Sequence, residues 1–273
     1  YYYGITGNGT HHNTYIELKD SALEGLAGTP DSTDYDEMGY GIYHPQKGIL
    51  VVDGGSVKGV AGGIEIRSGS LTVKGGAQIT ATAENFYVSP NGNGTTTVGA
   101  AVAVSQHSTN NTIDVVLEDG VFEGVYALYE ADVQDPSEGV PATIEISGGT
   151  FEGKVESTNV TGFISGGMFK YRPAEDYMNP DFVAELQNGY YVPVESSALR
   201  AAQTNAQADV REYVAMLGMK WAEVLELEGE GDENAVALVA AYNAIADATS
   251  EKGVAKARLD AMDAADAFAA AQE

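Results

Sequence analysis

Cysteine is absent from all 273 residues, so neither a disulfide framework nor a thiolate metal site can hold this fold together. Basic residues are scarce as well: 14 Lys and Arg stand against 40 Asp and Glu, a formal charge of −26. A field of that sign repels phosphate backbones and anionic lipid, which argues against nucleic-acid partners and direct membrane insertion. It also disfavours polyanionic substrates unless calcium bridges them. No apolar run approaches the roughly 18 residues that a membrane-spanning helix needs. The opening Tyr1-Tyr2-Tyr3-Gly4-Ile5 lacks the basic and apolar regions of a signal peptide, and no Met precedes it. The chain reads as part of a longer polypeptide.

What is abundant is glycine, 33 residues, and tyrosine, 16. Much of the glycine belongs to a repeat in which a short strand runs into a glycine-marked corner followed by an apolar residue. Clear copies are Leu50-Val51-Val52-Asp53-Gly54-Gly55-Ser56-Val57, Leu71-Thr72-Val73-Lys74-Gly75-Gly76 and Ile144-Glu145-Ile146-Ser147-Gly148-Gly149-Thr150-Phe151. Others start at Val115 and Phe163, with a degenerate one at Ile16. A repeat of this length is one supersecondary unit that cannot bury its apolar face alone, so copies stack. The implied architecture is mainly β: a parallel β-helix with inserted loops. A second strand set, including Gly63-Ile64-Glu65-Ile66 and Ala101-Val102-Ala103-Val104, lies between the copies, and alternation points Ile64, Ile66, Val102 and Val104 inward and Glu65 outward. Gly-Gly pairs supply positive φ at the corners without steric cost. At roughly 4.8 Å per rung, six or seven rungs make a rod of about 30 Å.

Residues 171–194 leave the pattern. Pro180 to Leu186 reads as a short helix followed by a strand from Tyr190 to Val194, together capping the stack's open end. From Ser196 alanine dominates and apolar residues recur at helical spacing. Three helices are expected across 195–273, on the faces Leu199/Ala206/Val210/Val214, Leu238/Tyr242/Ile245 and Val254/Ala261/Ala265/Phe268, with Asp232 and Thr249 or Ser250 as caps. Trp221 falls between the first two. The division is therefore 1–194 as β-helix and 195–273 as a three-helix bundle or spacer, both acidic.

Candidate chemistry is confined to loops and strand ends. Tyr35, Tyr40, Tyr43, Tyr87, Tyr126 and Tyr129 are placed to offer aromatic faces to sugar rings or to a protein surface. Asp31, Asp34, Asp36 and Glu37 crowd carboxylates into one short loop, an oxygen-rich setting for calcium without EF-hand spacing. His11 and His12, being adjacent, face opposite sides of a strand; His44 and His107 can share one side if their rungs stack. Glu17, Glu65, Glu118, Glu145 and Glu152 are spread over different strands, and the first 194 residues hold only two arginines, Arg67 and Arg172. That is not the converging carboxylate set of a polysaccharide hydrolase, and no catalytic residue is assigned. The insertions Thr29 to Met38, Asn85 to Thr97 and Gln134 to Val140 are where recognition is expected.

The run Gly41-Ile42-Tyr43-His44-Pro45-Gln46-Lys47-Gly48-Ile49-Leu50, with Gly62 to Val73, Gly99 to His107 and Gly162 to Phe169 in that order, resembles repetitive surface proteins of Gram-positive gut bacteria. The resemblance implies a right-handed, pectin-lyase-like β-helix and an extracellular, wall-attached setting. The Ala-rich end is similar to helical modules that alternate with other domains in such proteins. The expectation is a non-enzymatic surface protein whose loops contact a host or plant glycan or a matrix protein. The alternatives are a structural stalk that assembles with itself end to end, and a carbohydrate-active enzyme. No cofactor is expected beyond calcium.

Overall fold

The computed structural model describes residues 3–7, 13–89, 95–106, 111–131, 142–248 and 250–272. The chain divides into two compact units, Tyr1–Val194 and Glu195–Glu273.

The first unit is mainly β. The first five passes of the chain each place one strand in each of three parallel sheets, and the last places one in the first and third. The first sheet takes β1 (Tyr3–Thr6), β4 (Tyr40–His44), β7 (Gly62–Ile66), β12 (Ala100–Val104), β15 (Tyr126–Glu130) and β18 (Lys154–Ser157). The second takes β2 (Thr14–Lys19), β5 (Gly48–Asp53), β8 (Gly69–Lys74), β13 (Ile113–Leu117) and β16 (Thr143–Ile146). The third takes β3 (Ala22–Gly25), β6 (Ser56–Gly59), β9 (Gln78–Ala81), β14 (Val121–Glu123), β17 (Thr150–Phe151) and β19 (Met168–Phe169). Between β9 and β12 an insertion carries the short antiparallel pair β10 (Tyr87–Val88) and β11 (Thr97–Val98).

In-register pairing turns the period-2 pattern into columns. Ile42, Ile64, Val102 and Leu128 align in the first sheet. Leu50, Leu71, Val115 and Ile144 align in the second. Val57, Ile79, Phe122, Phe151 and Phe169 align in the third, the phenylalanines stacked at 4.7 and 4.6 Å. All of these join one buried core, each side chain adding about 1.5–3 kcal/mol of burial at the upper limit. The corners depend on glycine. Gly54 and Gly55 sit at φ 74° and 72°, and a Cβ on Gly55 would lie 2.2 Å from the Ser21 carbonyl oxygen. In the degenerate first copy Asp20 occupies the same left-handed region, at φ 44°, which Asp tolerates better than most residues.

The cap differs from expectation. Residues 182–187 form a strand, β20 (Phe182–Gln187), not a helix, and pair with β21 (Tyr190–Glu195). Phe182 and Ala184 are half-buried while Val183 and Glu185 are exposed: a period of two overrides the helical reading. Asn188 and Gly189, at φ 52° and 88°, supply the two left-handed residues of a tight hairpin turn. β21 then runs antiparallel to β19 through Phe169 and Tyr191, so the parallel run of the third sheet ends there.

Among the described residues the second unit has four helices where the sequence suggested three: α1 (Ser197–Met216), α2 (Trp221–Glu230), α3 (Glu233–Asp247) and α4 (Glu251–Gln272). Gly218 at φ 84° ends the first pattern, and Trp221 opens a helix of its own, packing on Tyr242 at 4.4 Å. Ser196, Asp232 and Ser250 cap α1, α3 and α4, their side-chain oxygens accepting from Leu199, Asn234/Ala235 and Gly253 amides.

Candidate functional site

The outward face of the first sheet concentrates the polar and aromatic residues. One outward column reads Tyr43, Glu65, Ala103, Tyr129, Glu156; the other reads Tyr3, Tyr40, Gly62, Ala100, Tyr126, Lys154. Large side chains thus flank a centre of Gly62, Ala100 and Ala103, which leaves a trough. The described residues of the insertion after β9, 82–89 and 95–99, lie over it as a strap, with Gly99 N–H donating to Ala61 O at 2.6 Å and Ser89 N–H to Thr96 O at 2.7 Å.

Glu65 anchors that strap. It is fully buried: its side chain points outward, as the alternation implies, and the strap covers it. Its carboxylate accepts from Thr96 N at 2.9 and 3.0 Å, from Thr96 Oγ1 at 3.0 Å and from Thr97 N at 3.2 Å. Buried Arg67, just past the end of β7, lies 4.0 Å away and donates to Gln106 O at 3.4 Å. Burial pushes the Glu65 carboxyl above its ordinary value, opposed by the guanidinium and the strap amides. The Tyr40 hydroxyl adds a bond to Thr97 O at 2.6 Å.

A second buried carboxylate, Glu130, holds the turn after β18. It accepts from Ser157 Oγ at 2.8 Å, Thr158 N at 3.0 Å, and Asn159 N and Nδ2 at 2.9 and 3.0 Å. On β4, three strands along the sheet from β15, His44 is fully buried, with Nδ1 3.2 Å from Gln46 Nε2 and no partner for Nε2 among the described residues. Burial depresses its pKa to about 4, so the imidazole is neutral at pH 7. Gln46 in turn reaches Thr14 Oγ1 at 3.3 Å.

The six tyrosines singled out by sequence all gather on or over this face, in three separate settings. Tyr35 and Tyr87 stack at 4.3 Å and 9°, and Tyr87 keeps 39% of its surface exposed. Tyr126 and Tyr129 meet each other at 5.4 Å and meet Phe86 of the strap at 4.3 and 4.7 Å. Lys154 Nζ sits 5.9 Å over the Tyr126 ring; burial, then a hydrogen bond to Glu156, raise the Tyr126 hydroxyl to about 12. Tyr40 and Tyr43 are buried and pack beneath Tyr3, so they are part of the support and not of a surface open to a ligand.

The acidic loop contains a single 3-10 turn over Tyr35–Glu37. Asp31, Asp34 and Glu37 are exposed there; the side chain of Asp36 lies outside the described residues. Among the described residues no three His, Asp or Glu side chains converge. His11, His12, His107 and the insertion 134–140 lie outside them too. The sequence placed Phe86, Thr96 and Thr97 inside the insertion where recognition is expected but gave none of them a role, and it gave Glu130 none. The Glu65-x-Arg67 spacing was the readable signal, since it sets opposite charges two apart at the end of a strand. A separate cleft of about 230 Å³ in the cap is bordered by Arg172, Met178 and Phe182, with Arg172 already paired to Glu175 at 3.5 Å.

No protein-family model, curated protein or solved structure matches this chain. Function therefore has to be argued from the strap-covered aromatic face itself.

Proposed function

We propose that residues 1–194 coil as a right-handed parallel β-helix belonging to a bacterial surface protein, and that its first sheet contacts carbohydrate through an aromatic face. The cyclic strand order, one strand per sheet in each of the first five passes, supports the coil. The observation that carries the binding reading is the gathering of Phe86, Tyr87, Tyr126 and Tyr129 with Tyr35 over one rigid sheet. Aromatic side chains add large apolar contact at low entropic cost, and hydroxyls on their rims can meet sugar hydroxyls. The net charge of −26 favours neutral over acidic sugars. The wall-attached, extracellular setting rests on the sequence resemblance, and the helical unit is the spacer in this reading.

A stalk built by end-to-end stacking fits less well, because a hairpin covers part of one end of the stack. β1, β2 and β3 are terminal strands of parallel sheets, whereas the antiparallel β20–β21 hairpin closes the third sheet at the other end. The deciding experiment is binding of the full chain to an array of plant and host glycans and matrix proteins, with and without calcium. Saturable binding to neutral glycans, weakened at least tenfold by Tyr126→Ala, is expected. Binding lost in chelator would bring in Asp31, Asp34, Asp36 and Glu37. A blank array, or a hit indifferent to Tyr126→Ala, removes the aromatic-face reading.

A further inference from the structure

We propose that Glu65 is a latch: its buried carboxylate fixes the strap so that Phe86 and Tyr87 seat against the tyrosines of the sheet and of the neighbouring loop. The aromatic face is then a composite that exists only while the strap is held. Its consequence for ligand binding rests on the carbohydrate reading above, whereas the latch itself does not.

The chemistry of the site calls for a carboxylate. Thr96 N–H lies within 3.0 Å of both Glu65 oxygens, Thr97 N–H within 3.2 Å of one, and Thr96 Oγ1 donates to the other at 3.0 Å. Among the described residues every strap group bonded to the carboxylate is a donor, and so is Arg67, just past the end of β7. An acceptor with two oxygens serves this set; a primary amide cannot, because its NH₂ would confront one of the donors. The position is fully buried, so water cannot make good the loss, and an unmet buried donor is costly. The anchor point also lies where leverage is greatest. Thr97 belongs to β11 and pairs with Val88, while Val98 pairs with Tyr87. Holding Thr96 and Thr97 therefore holds the arm that carries Phe86 and Tyr87. The Tyr40 hydroxyl on Thr97 O is a second, neutral fastening at the same place.

Glu130 provides an internal control. It too is a buried carboxylate surrounded by donors, but its partners are Ser157, Thr158 and Asn159 and not the strap. Losing it should loosen the turn after β18 and leave the strap alone.

The test is amide hydrogen exchange of the full chain, read residue by residue, for wild type, Glu65→Gln and Glu130→Gln, with the ring chemical shifts of Phe86, Tyr126 and Tyr129 followed in parallel. Glu65→Gln should speed exchange at Thr96, Thr97 and Tyr87 by roughly ten- to a hundredfold and move the Phe86 ring signals toward solvent values. Core amides such as those of Leu71 and Val115 should change far less. Glu130→Gln should speed exchange only near Thr158 and Asn159. Strap amides exchanging at the wild-type rate in Glu65→Gln overturn the latch, as does equal acceleration in both variants. If Glu65→Gln fails to fold, Thr96→Val removes one bond to the same carboxylate; it should produce a smaller acceleration confined to the strap, and none would likewise overturn the proposal. A strap that loosens in a chain binding no glycan keeps the latch and removes the carbohydrate reading.

Discussion

The β unit and the helical unit solve the problem of burial in different ways. In the β unit a residue's partners come from neighbouring passes: Ile42 meets Ile64, and Ile64 meets Val102. In the helical unit backbone bonds are local, and two clusters mix small side chains such as Ala206, Ala235, Ala261 and Ala265 with Leu199, Val214, Leu238 and Ile245, Phe268 being the one buried ring among the described residues. Their polar groups differ more sharply. Every buried polar or charged side chain among the described residues lies in the β unit, Glu65, Arg67, His44 and Glu130 included. The helices keep their charges at the surface, as in Lys256–Asp260 and Arg258–Asp209. A sheet has a second face that an insertion can cover, so it can enclose donors and acceptors that satisfy one another. A small helical bundle spends its one apolar stripe per helix on the core and leaves the rest wet. Specific chemistry is thus to be sought in the β unit.

The largest way to separate the two is to break a column. Phe151 is fully buried between Phe122 and Phe169. Phe151→Ala should cost about 3–5 kcal/mol, and the loss should appear in one unit only. Thermal unfolding followed by both the ring NMR signals of Tyr126 and Tyr129 and helical circular dichroism should show the β transition falling steeply and the helical transition staying in place. A shift shared equally by both transitions would mean that the units do not unfold independently.

A smaller and more selective difference comes from pH. All four histidines precede residue 195, so no imidazole titrates in the helical unit. His44 is held neutral with a pKa of about 4 against 6.5 when unfolded. A depressed value means that the unfolded chain takes up the proton first. The stabilisation is therefore complete above about pH 6.5 and is lost as pH falls toward 4. At about 1.4 kcal/mol per pH unit, it amounts to roughly 3 kcal/mol at most. Glu65 works in the other direction: a carboxyl raised by burial favours the protonated folded state, so it adds no acid sensitivity of its own. His44→Gln should flatten the decline of the β transition between pH 6.5 and 4 relative to wild type and leave the helical transition unchanged. An identical decline in both proteins would show that His44 is not the group responsible.

Much of the β unit was legible because its order is written as alternation and glycine pairs. Ile64, Leu71, Val115 and Phe151 all point where period-2 spacing puts them, and the corner glycines are where positive φ is needed. Three features were not legible, each for a physical reason. Phe182 to Gln187 carries helix-compatible residues, and only the Asn188-Gly189 turn marks it as the first arm of a hairpin. Trp221 to Glu230 is too short for periodicity to separate it from its neighbours. Glu65 sits at an outward position in a strand, and nothing local says that residues far along the chain return to cover it. The tyrosines were recognisable as a set, but which of them are support and which are surface depends on the same returning strap.

The finest contrast is at helix ends, where the helical unit keeps what local polar bonding it has. Asp232 Oδ1 accepts from Asn234 N at 3.0 Å and Ala235 N at 2.9 Å, satisfying two of the donors that every helix start leaves free. It follows Gly231, whose φ of 85° turns the chain out of α2, so one short segment both ends a helix and begins the next. Asp232→Ala should lower the stability of the helical unit by about 1 kcal/mol, seen as a modest drop in its transition with the β transition unmoved. Asp232→Asn should recover most of the loss, because the amide oxygen still caps and only the favourable charge at the helix start is gone. If Asn behaved like Ala, the carboxylate's charge rather than its hydrogen bonds would be what starts α3.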